Sequence, residues 1–185
     1  MQWNDHYKLN GKHAIFSPSS PAWIGYSDDK ALSYYDNMKA KERGTILHKW
    51  AKDTIDLGLK QPKTKKTLYL YVNDAIGYHM RTEQIVYYSD RFFGTCDAIS
   101  FRDGYLRIHD LKTGKSPVHM EQLMVYAALF CLEYKKDPID IDIELRIYQL
   151  DDVIVYNPSA NEIDKIIHQI IHLEKVFSEI EEKEA

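Results

Sequence analysis

FFGTCDAISFRDGYLRIHDLKTG, residues 92–114, is the stretch on which the fold turns. Its first part, Phe92 to Phe101, and its second, Leu106 to Leu111, are rich in aromatic, β-branched and alternating apolar residues, with Asp103-Gly104 between them. Asp-Gly tolerates the left-handed conformation that both central positions of a tight hairpin turn require, so the two parts read as neighbouring antiparallel strands. Side chains alternate across a strand, which sets Asp110 and Lys112 on one face while Leu111 turns into the core. The hairpin brings Asp97, on the first strand, toward Asp110 on the second.

Taken alone, Asp-Leu-Lys is an ordinary surface ion pair, worth little to stability. Asp97 adds information, because an acid amid Phe92, Phe93, Ala98 and Ile99 is costly to bury without a partner. A divalent cation shared by Asp97 and Asp110 relieves that cost, and two hard carboxylate ligands suit Mg²⁺ or Mn²⁺. Gly94 marks a place where the backbone can approach a ligand closely.

Outward from this hairpin, Glu83 to Tyr88 forms a third strand and completes an antiparallel meander. Before it, GLKQPKTKK at 58–66 reads as an exposed loop, and Thr67 to Tyr78 as a short helix. Asp28–Met38 and Lys41–Leu57 carry helical spacing, the second with an apolar stripe of Ile46, Leu47, Trp50, Ala51 and Ile55. Ser17, Ser19 and Ser20, around Pro18 and Pro21, offer hydroxyls for helix capping or for a phosphate. After the hairpin come a helix over Val118–Tyr134, strands over Ile141–Gln149 and Val153–Tyr156, and a final helix from Ala160. That order implies an α/β (α+β) fold, a central mixed sheet with an antiparallel meander flanked by helices. One domain over 1–185 is expected, its helical part at about 1–80 and its sheet core at about 81–160.

The chain has 185 residues, 44% hydrophobic and 12% aromatic, enough to fill a core. Charged residues are 28% of it and nearly cancel, to a net charge of −4, so any grip on a polyanion must be local. The two cysteines, Cys96 and Cys131, lie in apolar segments and read as buried free thiols in a cytoplasmic protein. Two thiols fall short of an iron-sulfur cluster. The first residues lack the pattern of a secretory signal, and the apolar run around Leu123–Leu132 is too short for a bilayer, so no membrane is expected. No Gly-x-x-x-x-Gly-Lys phosphate loop of a motor occurs.

Four short motifs in order, GTILH at 44–48, GTCD at 94–97, DLKTG at 110–114 and QLMVY at 122–126, resemble the RecB-like branch of the PD-(D/E)xK nucleases. The resemblance covers most of the chain and is closest to stand-alone phage or mobile-element members without an iron-sulfur cluster. It implies a restriction-endonuclease-like core and Mg²⁺- or Mn²⁺-dependent hydrolysis of DNA phosphodiesters, most simply as an exonuclease acting on DNA ends. Asp97, Asp110 and Lys112 would be the catalytic residues, and His48, Asp97, Asp110 and the Leu111 carbonyl the metal ligands. Gln122 and Tyr126, one turn apart on a helix face, would contact substrate or organise the site, with Tyr126 able to stack on a base. Ser17, Ser19, Arg43 and Lys115 would add substrate contacts, and Glu83 an accessory carboxylate. Lys63, Lys65 and Lys66 are read either as a solvated loop tip or as guides for the phosphate backbone.

Two other readings stay open: a non-catalytic nucleic-acid-binding subunit, and a sequence-specific restriction endonuclease, which needs a base-reading region. Intact acids and lysine distinguish an enzyme from the first. The resemblance places the protein in a bacterial or phage-infected host cytoplasm, with DNA as its partner. A second copy of the chain or a recombination or replication protein is a further expected class of partner.

Overall fold

The computed structural model describes residues 6–9, 11 and 13–184. They fall into two compact units, 1–45 and 46–185. Helix α1, Asp28–Asp56, runs through the boundary as one element of 29 residues, where two helices were expected from the sequence. Apolar periodicity lapses at Lys39-Ala40, but both residues are good helix formers and no proline intervenes. A Lys39–Glu42 ion pair at 2.9 Å bridges the gap.

In the first unit, 3-10 turns at Tyr7–Leu9 and Pro21–Gly25 precede α1. Phe16 packs against Trp23 and Tyr34, with ring centroids 6.0 and 5.7 Å away, and the Trp23 indole donates to the Ser17 carbonyl at 3.0 Å. The expected serine cap is absent, since Ser20 makes no side-chain bond to the turn that follows it. Ser27 takes that part for α1, its Oγ accepting from the Lys30 amide at 3.4 Å.

The second unit is a mixed α/β structure built on a five-stranded mixed sheet flanked by helices. After α1 come α2 (Thr67–Gly77), β1 (Arg81–Ser89), β2 (Phe92–Arg102), β3 (Tyr105–Leu111), α3 (Glu121–Tyr134), β4 (Asp142–Gln149), β5 (Asp152–Tyr156) and α4 (Ala160–Glu184). The spatial order is β1-β2-β3-β4-β5. The meander β1-β2-β3 is antiparallel, as the alternation foretells, and φ of +51° at Asp103 and +78° at Gly104 gives the tight turn. β3 pairs with β4 in parallel, which requires the crossover that α3 supplies. α3 starts at Glu121 rather than Val118, because residues 112–120 form a loop in which Gln149 Nε2 donates to the carbonyls of Gly114 and Ser116, at 2.7 and 2.9 Å.

Alternation on the two central strands sorts the core into two layers. Leu106, Ile108, Ile143, Leu145 and Ile147 pack with α3 and α4. Leu111 and Tyr148 face the other way, with Ala51 and Ile55 of α1 and Tyr71, Val72 and Ala75 of α2. Ile46, Leu47 and Trp50, expected to continue the α1 stripe, are exposed at 61, 36 and 37%. Cys96 and Cys131 are buried free thiols, as expected, and burial holds both in the protonated form, Cys131 up to about 11.

On the α2 side the inward residues of β3 and β4 are largely polar. Tyr148 donates to Asp74 Oδ2 at 2.7 Å, which leaves its oxygen to accept from His109 Nδ1 at 3.2 Å. That assigns the proton of His109 to Nδ1 and leaves Nε2, fully buried, without a hydrogen-bond partner among the described residues. Burial, then Arg146 and Arg107, push the imidazole down to about 3, so it is neutral. Arg146 completes the layer, bonding Asp74, Tyr78 and Glu144 at 3.2, 3.1 and 3.0 Å. Among the described residues no helix is long and apolar enough to cross a membrane.

Candidate active site

The β2–β3 ladder runs from Arg102↔Tyr105 to Ala98↔His109 and stops there. Beyond it the Asp97 carboxylate takes over, accepting the Leu111 amide at 3.0 Å in place of a backbone carbonyl. The strands therefore open where Asp97 and Asp110 lie side by side. β1 distorts at the same level, where the ladder passes from Thr82↔Ala98 to Gln84↔Cys96 and Glu83, between them, has φ +49°. A glutamate held in that conformation is strained, and it stands opposite Asp97.

Asp110 is 4% exposed, on the sheet face shared with Ile108. Lys112, on the same face as the spacing requires, places Nζ 3.1 Å from Oδ1 and 3.0 Å from Oδ2. Only the first contact has hydrogen-bond geometry, so Oδ2 is a buried oxygen without a hydrogen bond among the described residues. Burial first, then the neighbouring Asp110 charge, raise the Asp97 carboxyl to about 6; the Leu111 amide and His48 pull the other way, and Glu83 adds to the rise. Buried Asp110 and partly buried Asp97 together form an electronegative seat.

Two helices complete it. α1 brings His48, whose Nδ1 lies 3.4 Å from Asp97 Oδ2. α3 brings Gln122, which accepts from Lys112 Nζ at 3.1 Å and donates to the Tyr126 hydroxyl at 2.9 Å. The chain Asp110–Lys112–Gln122–Tyr126 thus fixes the ammonium. Tyr126 is set in turn by Gly94: a Cβ built there would lie 2.6 Å from Tyr126 Cε1. The close approach read into Gly94 is real, but a tyrosine ring makes it rather than a ligand.

Six residues singled out in the sequence, His48, Asp97, Asp110, Lys112, Gln122 and Tyr126, thus meet in one chain of contacts, with Leu111 joined through its amide. Glu83 is near enough for its charge to act on Asp97. Lys115 is exposed on the loop that Gln149 holds. Ser17 and Ser19 share a hydrogen bond of 2.8 Å in the first unit, where Arg43 lies exposed on α1. Tyr71 of α2 is a residue that sequence reasoning passed over. It is 3% exposed, and burial, then the charges of Asp97 and Asp110, hold its phenol well above the ordinary range. Nothing in TLYLYV marks it out from an apolar helix face.

For a divalent cation the donor set fits in part. Two adjacent carboxylates, Asp110 buried with an unsatisfied oxygen and Asp97 partly buried, are hard ligands of the kind Mg²⁺ accepts along with several waters. Among the described residues no three His, Cys, Asp or Glu side chains form a ready-made cage.

Fold and site together define a mixed α/β protein with an acid pair and a tethered lysine at the open end of its sheet. The chain belongs to the family described as Protein of unknown function (DUF2800), whose family model matches residues 79–184. The matched segment holds both acids, Lys112, Gln122 and Tyr126; His48 precedes it. No curated protein and no solved structure matches the chain.

Proposed function

We propose that this protein is a metal-dependent deoxyribonuclease with a PD-(D/E)xK, restriction-endonuclease-like core, most simply an exonuclease acting on DNA ends. The observation that carries this reading is the convergence of Asp97 and Asp110, from adjacent strands, with an ammonium pinned between Asp110 and Gln122. A structural ion pair needs neither the second acid nor the amide tether of the lysine.

Asp97, Asp110, His48 and the Leu111 carbonyl would hold Mg²⁺ or Mn²⁺, which when bound supplies Lewis acidity toward a phosphoryl oxygen and a more acidic water. Lys112 sets a fixed positive charge where negative charge grows on the phosphorus oxygens, in a site partly shielded from solvent. Gln122 and Tyr126 position that ammonium. Tyr71, buried near the acids, keeps its proton.

The test is digestion of linear and circular DNA, labelled at either end, with Mn²⁺. Progressive loss of an end label from linear DNA alone is expected, and Asp110→Ala and Lys112→Ala should each reduce it by at least a hundredfold while far-UV circular dichroism stays native. Unchanged cleavage by Lys112→Ala would remove the proposal. Discrete fragments from a circular plasmid would favour sequence-specific cleavage.

A further inference from the structure

A cavity of about 450 Å³ lies between the start of β1, the end of β2 and the C-terminal end of α3, and shares no lining residue with the carboxylate site. Its size is within the range of about 300–1,000 Å³ typical of ligand clefts. Arg81, Arg102 and Lys136 line it, and no Asp or Glu does. None of the three forms an ion pair with a described residue, in a protein whose net charge is −4. Unneutralised cations converging on a concave surface favour an anion.

The lining is also aromatic. Phe101, Phe130 and Tyr134 pack in series as tilted pairs, with centroids 5.2 and 4.8 Å apart, and Lys136 Nζ sits 5.6 Å over the Phe101 ring. Gln84 also lines the cavity; its Nε2 is committed to the Ile85 carbonyl at 2.7 Å, which leaves Oε1 free to accept. Flat apolar surface, a cluster of positive charge and one acceptor in a single cleft match a molecule that is part ring and part phosphate.

We infer that this cavity binds one nucleotide unit, its phosphate among Arg81, Arg102 and Lys136 and its base against the Tyr134 end of the aromatic wall. The unit is either a free mononucleotide or one residue of a nucleic-acid strand. This inference does not rest on the nuclease reading. Were both correct, the four residue steps from Asp97 to Phe101 on β2 would set the two sites about 13 Å apart along one strand.

The experiment uses the full-length protein in EDTA, with 2-aminopurine deoxyriboside 5′-monophosphate as one probe and a decathymidylate carrying 2-aminopurine at its 5′ end as the other. Stacking on the aromatic wall quenches 2-aminopurine fluorescence. Quenching of the mononucleotide identifies a free-nucleotide site; quenching of the strand alone identifies a strand site. Arg81→Ala, Arg102→Ala and Tyr134→Ala, all exposed side chains, should each weaken binding at least tenfold with the melting temperature unchanged. Asp110→Asn should leave binding intact, which separates failure here from failure of the nuclease proposal. Absence of quenching with both probes, or equal binding by the three natively folded alanine variants, overturns the inference. So does preferential binding of an acidic, tyrosine-containing peptide that competes with the nucleotide.

Discussion

Gly94 shows how far one atom matters in this site. The Tyr126 ring occupies the place where any other residue would carry its Cβ, 2.6 Å from Cε1, and Tyr126 steadies Gln122, which steadies Lys112. Gly94→Ala should therefore push the ring aside, cost about 1–3 kcal/mol of stability as overpacking does, and lower Mn²⁺-dependent cleavage by loosening the ammonium. Urea unfolding of Gly94→Ala, Tyr126→Ala and the double variant checks this. The double variant should lose less than the sum of the singles, whereas simple additivity would mean that ring and glycine do not compete for space. At this scale the sequence was informative where chemistry follows strand spacing: Asp110 and Lys112 share a face because they stand two positions apart, with Leu111 alone between them. Asp97 was legible because an acid is out of place among Phe92, Phe93 and Ile99. Tyr71 was not, because a tyrosine in an apolar helix looks like core whether or not carboxylate charges lie near it.

Among the elements, the hairpins differ in how well their residues suit their turns. Asp103-Gly104 fits its left-handed turn, but the β4–β5 hairpin has Leu150 and Asp151 at φ +51° and +60°. A leucine in that conformation costs about 1–2 kcal/mol, and this one is 63% exposed, so its side chain offsets little of the cost. Leu150→Asn should raise the unfolding free energy by about 0.5–1 kcal/mol and Leu150→Val should lower it, as read from urea midpoints. Asp151 is best left alone because its carboxylate accepts the Thr67 amide at 3.3 Å, at the start of α2. Element type was readable almost throughout, since the meander announces itself by alternation and the long helices by composition. Two boundaries were not. Lys39-Ala40 interrupts an apolar stripe without interrupting a helix, and Gln149, distant in sequence, holds residues that local signals assign to the start of α3. The polar layer of Arg107, His109, Glu144, Arg146 and Tyr148 was equally hidden, since polar residues alternating with apolar ones look like a solvent face until α2 covers them.

Over the whole molecule His109, buried, and Asp97, partly buried, act against each other as pH changes. His109, depressed to about 3 in the folded protein, adds stability above its ordinary value near 6.5 and loses it as pH falls toward 3. Asp97, raised to about 6, works in the opposite sense: its contribution is complete below about 4 and is lost as pH rises toward 6. Between pH 4 and 6 the two slopes, each at most about 1.4 kcal/mol per pH unit, oppose one another. His109→Asn should therefore make the protein less sensitive to acid than the parent across that interval, and Asp97→Asn more sensitive. Urea unfolding at half-unit pH steps measures both differences, and variants whose curves run parallel to the parent's would contradict the assignment.

The parallel pairing of β3 with β4 fixes an order of assembly. β1, β2 and β3 can zip together as soon as they exist, each beside its predecessor. β3 stays an open edge until α3 has been made and β4 returns alongside it, where Ile147 takes its place next to Asp110. The acid pair can thus form in an unfinished sheet, whereas its surroundings, Gln122 of α3 among them, are in place only when α3 has docked and β4 has joined.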